Sequence, residues 1–167
     1  VDDIDASFVT VGAIALQGVR QTAPLLGERI AVMGLGLLGQ LTVQLLKANG
    51  CKVIGSDIDP DKMALAKKLG CDEVCHAGEL ITKANEFTNG YGVDAVIIAA
   101  STSSNQPITD AAEISRMRGR VVLVGMVGMD VPRNTYYKKE LEIKLSMAYG
   151  PGRYDPEYEE KGIDYPY

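Results

Sequence analysis

A glycine-rich turn between an apolar run and a helical pattern limits the possible folds of this chain more than any other feature. The segment IAVMGLGLLGQLTVQLLKANG places Gly34, Gly36 and Gly39 directly after a β-branched run. Gly34 permits a tight turn, Gly36 lets the main chain approach a phosphate without a Cβ, and Gly39 lets the helix pack on the strand. The helix amino terminus, with Leu37 and Leu38, offers unpaired N–H groups to an anion. We predict a dinucleotide-binding turn; the alternative is three glycines that serve turns alone.

Apolar runs alternate with amphipathic stretches along the rest of the chain, which predicts repeated βαβ units. Six runs predict strands, at Arg29–Met33, Lys52–Ser56, Glu73–Cys75, Ala95–Ala99, Arg120–Val124 and Leu141–Leu145. Five stretches predict helices, at Ser7–Gln21, Leu38–Ala48, Pro60–Leu69, Glu79–Phe87 and Asn105–Met117. The expected fold is α/β, a doubly wound, six-stranded parallel sheet of the Rossmann type with helices on both faces.

Length, charge and cysteine content exclude several classes of protein. The 167 residues, 46% hydrophobic and 23% charged, fit one compact domain. A net charge of −5 leaves no basic stripe for nucleic acid, and no apolar run is long enough to cross a bilayer. Three cysteines are an odd number for a disulfide framework and lack zinc-site spacing, so we expect buried thiols in a reducing cytoplasm. Because the first residue is Val1 rather than Met, we expect a fragment of a longer protein.

An acid at the end of the second predicted strand indicates which dinucleotide binds. Asp57 lies 18 residues beyond Gly39, close to the offset of an acid that accepts hydrogen bonds from the adenosine ribose. Its carboxylate would repel a 2′-phosphate, and Ile58, Asp59 and Pro60 supply no cation to offset that repulsion. NAD is therefore expected over NADP. The alternative role, capping the helix that opens at Pro60, is assigned to Asp59.

The carboxyl-terminal segment differs in composition from the rest. Residues 149–167, YGPGRYDPEYEEKGIDYPY, concentrate Tyr, Pro and Gly without helical or strand periodicity. We expect residues 1–148 to form the dinucleotide-binding domain, with a leading helix, and residues 149–167 to be an irregular tail directed toward a domain outside this chain.

Four segments together resemble the coenzyme domain of medium-chain, zinc-type alcohol dehydrogenases. They are ASFVTVGAIALQGVR, VMGLGLLG, SDIDPDKMALAKKLGCDEV and VDAVIIAAS, and the likeness runs from about Ala6 to Ala148. The resemblance implies that Lys62 also contacts the adenosine ribose, the alternative being a surface lysine. It further implies a nicotinamide half bordered by residues after the fourth and fifth strands: Ser101, Thr102, Val124, Gly125 and Met126.

The same resemblance shows what this chain lacks. The family's substrate pocket and structural zinc lie on a catalytic domain that is not in this sequence. Where family members with catalytic zinc place a Cys or Glu ligand, in the helix before the coenzyme domain, this chain has Thr10, a poor zinc ligand. The sole histidine, His76, has only Cys75 beside it, so we read it as an ordinary loop residue and expect no metal.

The resemblance extends to function and assembly. The tail resembles the segment after the coenzyme domain in bacterial fusions with a sugar-oxidoreductase module, which implies polysaccharide or cell-envelope sugar metabolism. The main hypothesis is an NAD-dependent dehydrogenase domain, inactive by itself, whose alcohol or sugar substrate binds elsewhere. The alternatives are a noncatalytic NAD-sensing domain and, with less support, an S-adenosylmethionine methyltransferase. The family also implies a homodimer through the last strand, residues 140–147, although Glu140, Glu142 and Lys144 could instead protect a monomeric edge.

Overall fold

Six parallel strands form a single sheet at the centre of the molecule. The structure is a computed structural model that describes residues 1–163. The strands are β1 (Arg29–Met33), β2 (Lys52–Asp57), β3 (Glu73–His76), β4 (Val93–Ile98), β5 (Ser115–Leu123) and β6 (Glu142–Leu145). Their order is β3-β2-β1-β4-β5-β6, which is the doubly wound order, so the predicted fold class is confirmed.

Eight α-helices accompany the sheet within residues 1–163. They are α1 (Asp3–Ser7), α2 (Val9–Thr22), α3 (Leu37–Ala48), α4 (Pro60–Lys68), α5 (Leu80–Phe87), α6 (Gln106–Ile114), α7 (Arg133–Lys139) and α8 (Pro156–Lys161). Short 3₁₀ helices occupy Ala77–Glu79 and Pro151–Tyr154. None of the helices within residues 1–163 combines the length and apolar character needed to cross a bilayer.

Alternate residues of the inner strands are buried in two separate hydrophobic cores, one on each face of the sheet. Ile30 and Val32 of β1 pack with α2, α3 and α4 on one face, whereas Ala31 and Met33 pack with α5, α6 and α7 on the other. This explains why the inner strands read as continuous apolar runs rather than alternating ones. Cys51, Cys71 and Cys75 are free and buried, as the sequence predicts.

The boundary between α6 and β5 differs from the prediction. The helix expected at Asn105–Met117 ends at Ile114, and the chain enters β5 at Ser115, which pairs with Val93. Arg116 Nε donates to Asp94 Oδ1 at 2.7 Å, which ties this segment to β4. A contact between distant residues thus overrides the local helical pattern, and β4 begins at Val93 rather than Ala95.

Helix α7 was absent from the prediction because its seven residues carry no clear period. It is held by one buried side chain, Tyr136, whose hydroxyl donates to the Ile108 carbonyl at 3.0 Å. At its end Lys139 Nζ donates to the Ala112, Glu113 and Ser115 carbonyls and so satisfies the end of α6.

The expectation of an irregular tail was wrong for the described part of it. Asp155 caps α8, accepting from the Glu157 N–H at 2.9 Å, and Pro156 occupies the first turn. Gly162 ends the helix in the left-handed conformation. Asp155, Pro156 and Gly162 are common helix start and stop signals. The helix was not predicted because the high content of Tyr, Pro and Gly made the segment resemble an irregular loop. Residues 164–167 of the expected tail lie outside the described residues.

Two glycine-to-alanine substitutions should change stability in opposite directions. A Cβ at Gly39 would lie 2.0 Å from the Gly34 carbonyl oxygen, so Gly39→Ala should lower the free energy of unfolding by at least about 2 kcal/mol. At Gly12, in α2, a Cβ meets nothing within 4 Å, so Gly12→Ala should stabilise the helix by about 0.5 kcal/mol. Urea unfolding of both variants gives the comparison; a Gly39→Ala variant as stable as the wild type would contradict this packing.

Candidate functional site

A groove of about 530 Å³ lies at the carboxyl ends of β1, β2 and β4. These strands end level with one another, since Met33 pairs with Ser56 on one side and Ile98 on the other. This is the crevice in which open α/β sheets bind their ligands. Its lining comprises Met33, Gly34, Gly36, Ser56, Asp57, Ile58, Lys62, Ala77, Ala99, Ala100, Ser101, Thr102, Ser104, Gln106, Pro107 and Asp110.

The three glycines of the turn serve different purposes. Gly34 has a φ of +91°, and a Cβ there would lie 2.6 Å from the Ala100 backbone nitrogen. Gly39 packs against the Gly34 carbonyl, so both are required by the fold. Gly36 has an ordinary negative φ, lines the groove, and would place a Cβ in open space. Nothing within the described chain therefore requires glycine at position 36, whereas a ligand that approaches the main chain would.

The amino terminus of α3 follows this turn directly. Gly36 is its N-cap and offers no side-chain hydrogen bond to the first N–H groups of the helix. Leu37 is exposed and Leu38 half-buried, and neither side chain lines the groove. Any contribution of these two residues to binding would come from their backbone N–H groups at the positive end of the helix dipole.

Asp57 connects the glycine turn to the end of β2. Its Oδ2 accepts from the Leu35 N–H at 2.6 Å, and its Oδ1 accepts from the Ile58 and Asp59 N–H groups at 2.8 and 3.0 Å. The half-buried carboxylate thus has three backbone donors and still lines the groove. Because the bond to the Leu35 N–H joins two separate loops, Asp57 holds the glycine turn in place as well as presenting its charge to the groove.

Lys62 reaches the same groove from the first turns of α4. Its Nζ lies 3.5 Å from Asp59 Oδ2. Asp59 caps α4 as the sequence predicts, accepting from the Asp61 N–H at 2.9 Å, and this bond lowers the pKa of the Asp59 carboxyl. Gln40 of α3 donates at 2.8 Å both to the Leu35 carbonyl and to the Lys62 carbonyl, so it fixes the distance between the glycine turn and α4.

The residues expected at the nicotinamide half separate into two groups. Ser101 and Thr102 line the groove, but Val124, Gly125 and Met126 do not. Gly125 packs where a Cβ would lie 2.0 Å from the Ala100 carbonyl, and the Met126 carbonyl accepts from the Thr102 N–H at 2.8 Å. The segment after β5 therefore contacts the loop after β4 through backbone atoms.

Part of the groove consists of residues that the sequence pattern did not indicate. Ser104, Gln106, Pro107 and Asp110 lie at the start of α6, and Ala77 follows β3. The rule that ligands bind beyond the carboxyl ends of strands points to the loop after β4, but not to the helix that follows it.

The described residues do not provide a zinc site. Residues 1–163 contain no group of three or more His, Cys, Asp or Glu side chains placed to hold a metal ion. Thr10 is exposed, and His76 ends β3 rather than lying in a loop, with its Nδ1 accepting from the Gly78 N–H at 3.1 Å. Burial raises the pKa of the Cys71 and Cys75 thiols to about 11, which disfavours the thiolate that zinc requires. No step of the chemistry is therefore assigned to zinc in this chain.

Comparison with known proteins identifies the family. A family model described as zinc-binding dehydrogenase matches residues 38–161. The chain belongs to this family. It is 34% identical over 123 residues to an alcohol dehydrogenase of Rhizobium meliloti (strain 1021), a match covering 72% of this chain and 35% of the relative. It is 28% identical over 166 residues to a sorbitol dehydrogenase of Bacillus subtilis (strain 168), covering 96% of this chain and 45% of the relative.

A solved structure shares the fold across most of the chain. A protein described as a zinc-binding dehydrogenase from Sinorhizobium meliloti 1021, bound to NADP, is 28% identical with a TM-score of 0.75. The match covers 84% of this chain and 43% of that protein. The chain thus spans less than half the length of the relatives it matches, and it corresponds to the nucleotide-binding part of a medium-chain dehydrogenase.

Removing the Asp57 carboxylate should destabilise the domain. Asp57→Ala leaves three backbone N–H groups without their acceptor, which should cost about 2 kcal/mol of unfolding free energy. Asp61→Ala, which removes a nearby exposed carboxylate, should change stability by less than about 0.5 kcal/mol. Chemical denaturation of both variants measures the difference, and equal stabilities would show that Asp57 does not clamp the turn.

Proposed function

We propose that this chain is the NAD(H)-binding domain of an alcohol or sugar dehydrogenase, and that a domain outside this chain binds the substrate. The observation that carries the proposal is Gly36, a groove-lining glycine whose Cβ position is open and which the protein's own packing does not require. The adjacent helix terminus and the Asp57 carboxylate supply an anion site and a hydroxyl acceptor side by side.

The charges around Asp57 support NAD(H) over NADP(H). Asp57 lines the groove at its proposed ribose end, and Asp59 lies beside the one ammonium that residues 1–163 contribute to the lining, that of Lys62. That ammonium already lies 3.5 Å from Asp59, so it is partly neutralised. A 2′-phosphate would therefore meet net negative charge, whereas ribose hydroxyls would donate to a carboxylate oxygen. The NADP seen in the Sinorhizobium meliloti protein belongs to that protein.

Each group in the groove then has a role in holding the cofactor. When bound, the nicotinamide ring would supply the hydride chemistry. The α3 terminus and Gly36 would bind phosphate, Asp57 and Lys62 would bind the ribose, and Ser101 and Thr102 would border the nicotinamide half. Val124, Gly125 and Met126 would support that loop through their backbone. No residue of this chain is assigned to proton transfer with the substrate.

We place the protein in the cytoplasm. All three cysteines are free thiols buried in the cores, and none faces another in a disulfide. Such thiols fit a reducing compartment better than an oxidising one.

Asp57 should determine the preference of the chain for NADH over NADPH. By calorimetry the chain should bind NADH at least about tenfold more tightly than NADPH, a difference of about 1.4 kcal/mol. Asp57→Asn removes the charge while keeping the side-chain size. It should therefore weaken the binding of NADH and reduce the difference in affinity between NADH and NADPH. Asp61→Asn, a matched change at an exposed acid, should leave both affinities unaltered. Equal affinities of the wild type for the two cofactors would refute the preference.

Valine at position 36 should abolish binding without unfolding the domain. The added side chain would occupy groove space next to the α3 terminus, while no protein atom lies within 4 Å of its Cβ. Circular dichroism should be unchanged and NADH titration should show no saturation. Gly12→Val, also at an open position, should bind NADH normally. Normal binding by Gly36→Val would mean that the turn is structural only.

We also propose that two copies of the chain associate through β6. This strand lies at the edge of the sheet, with one side of its backbone unpaired within residues 1–163. Leu141 and Ile143 pack against the core, but Leu145 remains 68% exposed. Glu142 and Lys144, which form an ion pair at 3.3 Å, neutralise each other and so would not repel a second copy.

Charge at Leu145 should therefore separate the dimer. Leu145→Lys places an ammonium where the edges would meet, and because the side chain is exposed the monomer should fold normally. Leu26→Lys, at a site that is 86% exposed and precedes β1, should not alter assembly. Analytical ultracentrifugation at tens of micromolar should show a dimer that only Leu145→Lys dissociates. A monomeric wild type would overturn this proposal for the chain as it stands.

A further inference from the structure

Beyond Asp57, the groove continues into a section to which the ribose and phosphate contacts assign no role. Its lining comprises Ile58, Ala77, Gln106, Pro107 and Asp110. Resting on the proposed function, under which this section would hold the purine base, we propose that Asp110, positioned by Gln106, accepts a hydrogen bond from the base's exocyclic amine. The domain would then discriminate adenine from hypoxanthine dinucleotides.

The connectivity of a dinucleotide places the base in this section. The ribose carries the phosphate on one carbon and the base on another. With phosphate at Gly36 and the ribose at Asp57 and Lys62, the base lies on the side of the ribose away from the glycine turn. The lining available there comes from the first turn after β3 and the start of α6.

The walls of the section suit a flat aromatic ring. Ile58 is 75% exposed, so its aliphatic side chain presents apolar surface to a ligand in this section. Pro107 and Ala77, both half-buried, line the same section. Apolar walls with a few placed polar groups are typical of sites that bind small organic ligands.

Gln106 and Asp110 are those polar groups. Gln106 Nε2 donates to Asp110 Oδ1 at 2.7 Å, which fixes the carboxylate one turn into α6. The Gln106 backbone N–H donates to Ser104 Oγ at 3.0 Å, which fixes the start of the helix. Within residues 1–163 the second carboxylate oxygen, Oδ2, accepts no hydrogen bond, so it remains available to a donor in the groove.

The chemistry of that oxygen selects between bases. A carboxylate can only accept, and the 6-amino group of adenine donates. Hypoxanthine has a carbonyl oxygen at the same position, which would face the carboxylate as acceptor against acceptor. The adenine amine would form a charge-assisted hydrogen bond with the carboxylate, and hypoxanthine would replace that bond with two opposed acceptors, so a difference of about tenfold in affinity is expected.

A purely structural role for Asp110 predicts something different. An i,i+4 side-chain pair on a helix surface contributes to helix stability but has no influence on which base binds. Base discrimination is therefore the readout that separates the two roles.

The test is equilibrium binding of reduced nicotinamide adenine and nicotinamide hypoxanthine dinucleotides to the whole chain, measured by calorimetry. The wild type should bind the adenine form about tenfold more tightly. In Asp110→Asn, which is isosteric, the carbonyl keeps the Gln106 bond and an NH₂ donor replaces Oδ2, so the preference should fall to within about twofold. Glu113→Gln, the same change at an exposed site of α6 that does not line the groove, should retain the preference.

The outcomes distinguish this proposal from the one on which it rests. If NADH binds and is preferred over NADPH, but the two bases bind equally or Asp110→Asn leaves their ratio unchanged, Asp110 does not read the base and the cofactor site stands. If no dinucleotide binds, both proposals fail. Loss of base preference in Asp110→Asn, with the preference over NADPH retained, supports the assignment.

Discussion

The close approach of α3 to β1 is the constraint on which the rest of the site depends. Gly39 rests against the Gly34 carbonyl, and Gly34 takes a left-handed conformation against Ala100. This contact brings the amino terminus of α3 to the end of the central strand, next to the groove-lining Gly36. Asp57 then ties the same turn to β2 through the Leu35 N–H. The proposed phosphate site and ribose acceptor are therefore connected to each other, and contacts from both sides of β1 hold them.

Much of the fold was readable from the sequence because the physical causes are local. The inner strands are buried on both faces and so read as apolar runs, and β1 was predicted at its observed bounds. Gly39 and Asp59 act through neighbours close in sequence, the Gly34 carbonyl and the Asp61 N–H. The end of α6 could not be predicted, because it depends on Arg116 meeting Asp94 across two strands. Helix α7 depends likewise on Tyr136 meeting Ile108, a contact that no local period reveals.

The candidate site likewise combines residues that local sequence patterns reveal with residues that only tertiary contacts bring together. Gly36 and Asp57 follow from spacing, and the structure adds why each matters: Gly36 has no packing role, and Asp57 also clamps the turn. Val124, Gly125 and Met126 were expected beside the cofactor, and the structure adds that this segment contacts the loop after β4, where the Met126 carbonyl accepts from the Thr102 N–H. Gln106 and Asp110 belong to the groove only because α6 folds back over the sheet after β4, which is a tertiary effect.

Under the proposed function, these features would bind and orient a cofactor, and the substrate would bind to a domain outside this chain. The central claim is that Gly36, the α3 terminus and Asp57 form one adenosine diphosphate site. Calorimetric titration of the chain with ADP-ribose tests this claim most directly, because ADP-ribose retains the adenosine diphosphate part of NAD but lacks nicotinamide. The account predicts saturable binding of one ligand per chain. Absence of binding by a chain that is folded by circular dichroism would contradict it.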